Sequence, residues 1–524
     1  MTFDILIRNG NVIDGVAGKA YSADIGISGG IIKAVGNLRG SSAGQIIAAD
    51  GLYVAPGFID PQNHSDSYMT LLEIPTMDSL VTQGITTIVI GHCGTSLAPL
   101  ASPEALKSIQ KWHSLAGANI NWQTYAEYAE SLRRYPLGTN VMGLVGHATV
   151  RRGLIGDQIR TATVEEILMI EKMLSDSFDA GAMGVSFGLV YAHEVNSSKQ
   201  ELISVAKMVA GREKILSVHL RSEGSGVVQA LEEVIEIAQE SGAALKISHF
   251  KIRGQKNHEH LEEALAVIDR AYQRGVNVFF DVYPYTTSWT VLYTYLPKWA
   301  YEGGKSAILK NIKDKSSRQK ILSFLASGES ALGSIFIATS ETNPGLTGKT
   351  LAQIAANQEV SVEEALLNVL EATATHAIVF DRNISDESMT ALLKHPLAII
   401  GTDGAGYDFS YSAMHGLVHP RCFGTMPRFL SLVREKKIMS WEEAVKKMTS
   451  RTADKMGIKN RGRIAAGQAA DVVVFDPHSI GSRATYENPY QQADGISYVI
   501  VNGRVSFAYR ESAIGVATGL ILRS

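Results

Sequence analysis

Two cysteines in 524 residues, Cys93 and Cys422, exclude a disulfide framework. So sparse a use of thiols fits a reducing setting, and a cytoplasmic location is expected. Long apolar runs are missing as well. No stretch reaches the roughly 18–20 residues that cross a bilayer, so no membrane partner is expected. The opening Met1-Thr-Phe-Asp-Ile-Leu-Ile-Arg-Asn-Gly10 has neither a basic start nor a long apolar core, and no secretory leader is expected. An excess of one charge is also lacking. Lys and Arg number 49 against 52 Asp and Glu, a net charge of −3 with no long like-charge run, which argues against nucleic acid as a partner. Internal repeats and low-complexity tracts are absent.

What remains is an ordinary globular composition, 45% hydrophobic and 19% charged, long enough for one large domain and a smaller one. The first fifty residues read as short strands and Gly-rich turns: Asp4–Arg8, Asn11–Asp14, Asp24–Ser28 and Ile31–Val35. From about Pro56 the pattern alternates strand and helix. Thr163-Val-Glu-Glu166 is a capping box opening a helix that stops near Gly181. Val227–Ser241 and Leu261–Arg274 are further helices, stopped by Gly242 and Gly275. Eight apolar runs, near 56–60, 85–91, 141–146, 182–187, 215–219, 245–249, 277–283 and 397–402, have the length and bounding residues of buried parallel strands. The expected fold is therefore α/β, a (β/α)8 barrel over 56–465. The gap between the seventh and eighth runs is too long for one connection, so an inserted helical subdomain is expected at about 284–396. Strands at Asp471–Phe475 and Tyr498–Asn502 return to the N-terminal pattern. Residues 1–55 and 466–524 are thus expected to form one small β-sandwich domain from both termini.

The barrel strands carry chemistry at their ends. His64, Cys93, His219, His249 and Asp403 each follow one of the apolar runs, and a (β/α)8 barrel gathers such positions at one mouth. Zinc accepts Cys, His and carboxylate ligands and keeps an open position when catalytic. Cys93, His219 and His249 can supply three ligands, and Asp403 can move a proton to and from water. Any one of these residues alone reads as packing. The set together points to a metal hydrolase.

This arrangement resembles the amidohydrolase superfamily, and most closely its D-aminoacylase (N-acyl-D-amino-acid deacylase) branch, over nearly the whole chain. The resemblance rests on Asp4-Ile-Leu-Ile-Arg-Asn-Gly10, Pro56-Gly-Phe-Ile-Asp60 and, most specifically, Gly91-His-Cys-Gly-Thr-Ser-Leu-Ala-Pro99. It continues in His219-Leu-Arg-Ser-Glu223, Ile247-Ser-His-Phe-Lys251, Asp281-Val-Tyr-Pro-Tyr285, Gly401-Thr-Asp-Gly404, His419-Pro-Arg421 and Gly462-Arg-Ile-Ala-Ala-Gly467. The resemblance implies a tightly bound zinc on Cys93, His219 and His249, with Asp403 as acid and base. It places Arg421 on the substrate's α-carboxylate, with Lys251 and Tyr283 helping to orient that end or the acyl group. The implied substrate is a small N-acyl-D-amino acid, cleaved to the D-amino acid and a carboxylate.

Two departures matter. The superfamily's His-x-His on the first strand reads Gln62-Asn63-His64 here, so His64 keeps one ligand of a weaker second metal site while Gln62 is a poor substitute for imidazole. Tyr191-Ala-His193-Glu194 stands where the family has a Tyr with a nearby Pro, which alters the substrate side of Tyr191. These departures leave open another C–N substrate, a cyclic amide or a D-residue dipeptide, and also a barrel retained as an inactive scaffold. Other signals read as structural. Asn343–Thr350 mimics a phosphate-binding loop but reads as a turn and helix start. His92 points away from its neighbour Cys93 on a strand, Cys422 is incidental, and His258 and His260 are solvated. His147 reads equally as mouth-lining or structural. The aromatic cluster Trp289, Tyr293, Tyr295, Trp299 and Tyr301 reads as subdomain core or as a lid.

Overall fold

The computed structural model describes residues 1–108, 115, 119–328, 331–340, 342–410, 416–509 and 513–524. Eight short strands at its centre are Phe58–Asp60, Ile85–Ile90, Asn140–Gly143 continued by Val145–Gly146, Gly184–Gly188, Ile215–His219, Ala244–Ile247, Val278–Val282 and Ala398–Ile400. Nearly every residue in them is buried on both faces, so they are largely apolar instead of alternating. All pair in parallel. The first three form one sheet and the third through eighth another, sharing the third run of chain. A parallel bridge between Asn63 and Gly404 joins the first strand's exit to the eighth's, closing the (β/α)8 barrel.

The helices stop and start where their end chemistry dictates. Thr163 caps Val164–Asp179, its hydroxyl accepting from Glu166 N while the Glu166 side chain returns to Thr163 N. Val227–Ser241 ends at Gly242, whose φ of 76° favours a residue without a side chain.

Strands from both termini form one nine-stranded sheet beside the barrel. Thr2–Val12 pairs with Tyr21–Ser28, Ser42–Ala48 and Tyr53–Pro56, and the last of these pairs antiparallel with Val472–Phe475. The two strands expected at Asp4–Arg8 and Asn11–Asp14 are one. Asn9 takes φ 56°, the ladder shifts register there, and pairing resumes instead of turning.

The inserted segment is not purely helical. Ser288–Val291, Phe336–Ser340 and Ala377–Asp381 form a three-stranded antiparallel sheet, with Ala377–Asp381 central. Helices Gly304–Lys313, Lys315–Ala326, Leu351–Gln358 and Val362–Ala372 pack with it around a core of its own. Helix Asp386–Lys394, inside the expected insert, packs instead on the seventh and eighth barrel strands. Asn343–Thr350 is a turn followed by the cap of Leu351–Gln358, as its residues predict. No helix among the described residues is long and apolar enough to cross a membrane.

Candidate active site

Three residues at the barrel mouth hold their backbone in the left-handed region although none is glycine: Cys93 (φ 55°), His249 (φ 37°) and Asp403 (φ 50°). Such conformations persist only where the surroundings enforce them, and they concentrate at functional positions. At Cys93 the enforcement comes from close packing on both sides. A Cβ on Gly91 would lie 2.1 Å from Leu144 O, and one on Gly94 would lie 2.0 Å from Glu194 Oε2. The loop therefore turns sharply off the second strand and aims the Cys93 sulfur into the barrel.

There Cys93, His219 and His249 converge, one ligand atom from each lying within 4.8 Å of the others. Cys93 Sγ is 3.3 Å from His249 Nε2. Burial works against ionisation of the Cys93 thiol, but the His249 and His219 imidazoles outweigh it and hold its pKa well below the usual thiol value. His219 Nδ1 is buried without a hydrogen-bond partner. A thiolate, two imidazoles and an orphaned ring nitrogen fit a zinc ion well.

Glu223, four residues after His219, was given no role by the sequence. Its buried carboxylate lies 3.2 Å from His249 Nδ1, 3.7 Å from His219 Nε2 and 2.6 Å from Lys251 Nζ. A carboxylate behind two imidazoles fixes their ring orientation and tautomer. The i,i+4 spacing from His219 was the available signal. Lys251 also donates to His249 O, at 3.1 Å, so it is tied to the floor of the site.

Asp403 sits between two partners. Its Oδ1 is 3.1 Å from His64 Nε2 and its Oδ2 is 2.8 Å from Arg421 Nη1. Burial opposes its charge, but Arg421, His249 and His64 prevail and hold the carboxyl well below the usual range. Arg421 opens helix Arg421–Lys436 and stacks over Tyr283 at 4.9 Å and Trp289 at 5.4 Å. Its Nε has no hydrogen-bond acceptor, and neither does the buried Tyr283 hydroxyl, whose pKa burial pushes well above its usual value. Two unused donors beside a guanidinium are suited to a carboxylate. Tyr191 packs edge-on against the His219 ring, centroids 5.1 Å apart, and lines the same cavity. Cys93, Asp403 and Arg421 line this cavity as well.

The predicted site residues thus come together, with His64 set apart from the three ligands. Its ring nitrogen lies 3.8 Å from Cys93 Sγ and is engaged by Asp403 and Gln62. The aromatic cluster divides. Trp289 lines the cavity, stacked on Tyr68 at 4.8 Å, while Tyr293, Tyr295 and Tyr301 belong to the insert's core and Trp299 is exposed. His147 does not line the mouth. It is fully buried, with Nδ1 2.6 Å from Glu194 Oε1 and Nε2 3.1 Å from Glu201 Oε1. His258 is half-buried, not solvated, with Nε2 3.4 Å from Asn383 O.

A closed parallel barrel with a thiolate, two imidazoles and a carboxylate at its C-terminal mouth defines a metal-hydrolase architecture. Residues 45–507 match the profile of the amidohydrolase family, and the chain belongs to that family. It is 32% identical to the D-aminoacylase of Alcaligenes xylosoxydans xylosoxydans over 505 residues, covering 96% of this chain and 94% of the relative. The fold superposes over the full length of both chains on N-acyl-D-glutamate deacylase from Bordetella bronchiseptica, solved with zinc and a phosphonate mimic of the tetrahedral intermediate (TM-score 0.85, 31% identity). A D-aminoacylase structure described by its binuclear metal centre, with one-metal activation and second-metal attenuation, matches with TM-score 0.84 and 32% identity, again over the whole of both chains.

Proposed function

We propose that the protein hydrolyses the amide bond of N-acyl-D-amino acids, using one zinc ion held by Cys93, His219 and His249. The observation that carries this reading is Arg421. It is a buried guanidinium with a free Nε, flanked by Tyr283 and in contact with Asp403 beside the three ligands. An ion in that position polarises an acyl carbonyl and lowers the pKa of a water.

The chain's own groups do the rest. Arg421 and Tyr283 take the substrate α-carboxylate, which fixes the face of the α-carbon and points the acyl group toward the ligands, while Lys251 holds Glu223 and His249 in place. Asp403, ionised, accepts a proton from the attacking water as its oxygen bonds to the acyl carbon. The C–N bond then breaks, and Asp403 returns that proton to the departing amine, so water and amide become a carboxylic acid and an amino acid. Glu223 keeps the imidazoles oriented throughout. Tyr191 and Trp289 wall the cavity and exclude water. A reducing, cytoplasmic setting suits a site that depends on a free thiolate.

The test pairs N-acetyl-D- with N-acetyl-L-amino acids and measures metal content in the same preparation. Activity confined to the D-series with about one zinc per chain is the expected result. Zinc without D-series activity defeats the substrate assignment. In that event a cyclic amide, which has no α-carboxylate, is turned over with little sensitivity to Arg421→Ala.

A further inference from the structure

A second set of groups reaches the Cys93 sulfur. Gln62 Nε2 lies 3.6 Å from Cys93 Sγ and 3.3 Å from His64 Nε2, while His64 Nε2 is itself 3.8 Å from the sulfur. A second cation sharing this sulfur has to draw its ligands from Gln62, His64 and Asp403. Gln62 can offer only its carbonyl oxygen, because an amide NH2 has no lone pair to give.

That oxygen is already taken. Lys246, in the middle of the sixth barrel strand, reaches through the barrel interior, and its ammonium donates to Gln62 Oε1. An ammonium donates and never accepts, so the amide has only one workable orientation: oxygen toward Lys246, NH2 toward sulfur and His64. Lys246 is itself fixed, 2.7 Å from Asp281 Oδ1 and 3.3 Å from Ser217 Oγ. Lys246, Asp281 and Gln62 are all fully buried. Separating this pair would leave an uncompensated charge in the interior, so the arrangement resists change. The packing is tight as well, since a Cβ on Gly401 would lie 3.0 Å from Asp281 Oδ2 and 3.1 Å from Gln62 Cβ.

We propose that Lys246 is a positioning residue that turns the Gln62 amide so that its N–H groups, and not its oxygen, face Cys93, closing the neighbouring metal position. The chain then binds a single ion, and Cys93 is a terminal ligand and not a bridging one. The buried ammonium supplies, through the amide, the positive polarisation that a second cation would bring to the thiolate. This inference rests on the reading that Cys93, His219 and His249 hold a metal, and the test separates the two.

Chelated protein is titrated with Zn2+ and, separately, with Co2+. Metal per chain is counted after gel filtration, and the thiolate-to-cobalt absorption is followed. The wild type is expected to saturate at one ion, with the cobalt band unchanged by excess metal. The double variant Gln62→His/Lys246→Val is expected to take up a second ion. Lys246→Val alone, which frees the amide oxygen, is expected to bind a second ion roughly 10–100-fold more weakly than the double variant does. A wild type that takes two ions with similar affinity overturns the proposal, whether or not the variants fold. So does a folded double variant that stops at one. A wild type that binds none overturns the metal reading itself.

Discussion

Two buried histidine–carboxylate clusters, one at the barrel mouth and one beneath the loop that carries Tyr191, serve opposite ends. In one, His147 meets a carboxylate at each ring nitrogen, Glu194 at 2.6 Å and Glu201 at 3.1 Å, and Arg151 Nε closes on Glu201 at 2.8 Å. In the other, His249 has Glu223 behind it at 3.2 Å, while its second nitrogen faces the Cys93 sulfur at 3.3 Å. The first imidazole is spent on its neighbours and acts as a strut, bracing the loop that carries Tyr191. The second keeps one nitrogen directed at a soft anion, the disposition of a metal ligand. Residue type does not separate the two, nor does burial. What the second nitrogen meets does.

The comparison breaks first at the chemistry. Asp403→Asn should lower kcat/KM for an N-acyl-D-amino acid by about 10²–10⁴-fold with metal content unchanged, since it removes a proton acceptor and no ligand. Steady-state kinetics with metal analysis checks both halves. A loss of metal in this variant would move Asp403 into the ligand set.

The strut is probed next. Glu194→Ala leaves His147 without its closest partner and should destabilise the fold by about 3–5 kcal/mol in urea unfolding. The folded fraction should still bind its metal. If it loses metal as readily as His249→Ala does, the two clusters are one. Arg421→Lys keeps the charge but loses the planar fork, and should cost about 1.5–3 kcal/mol in kcat/KM for the D-substrate. An unchanged value would place the α-carboxylate elsewhere. Glu223→Gln should weaken metal binding roughly 10–100-fold by competition with a chelator.

The strut is also open to test by pH. Burial pushes the His147 pKa down, but Glu194 and Glu201 carry it up to about 9, against an ordinary 6.5. A raised folded-state pKa stabilises fully below the unfolded value, and that contribution fades as pH rises through about 9. Unfolding free energy measured from pH 6.5 to 9.5 should therefore fall, and His147→Phe should flatten the curve.

The eight barrel strands were legible because each is largely apolar on both faces, and five of them lead into His64, Cys93, His219, His249 and Asp403. Cys93, His219, His249 and Asp403, at the ends of four of these runs, mark the mouth from sequence alone. The insert's sheet was not legible. Ser288–Val291 and Ala377–Asp381 pair across many intervening residues, and nothing local ties one to the other. Lys246 was hidden for a different reason. A lysine inside an apolar run reads as an interruption, and its meaning lies in Asp281 and Gln62, which arrive from other strands. Glu223 follows His219 by four residues, yet a carboxylate near a histidine becomes a second support only once the ring faces are known.

The barrel's closing seam has its own consequence. First and eighth strands meet without a continuous ladder. Asp60 accepts from Thr402 N at 2.8 Å and from its hydroxyl at 2.6 Å, and Asp403 N donates to Gln62 O at 2.8 Å. The ring of strands is thus buttoned by side chains at the one place where His64 and Asp403 face each other. Amide protons along this seam should exchange with solvent ahead of those in the other barrel strands. Asp403, the carboxylate proposed to move the proton, rides on the stitch expected to slacken first.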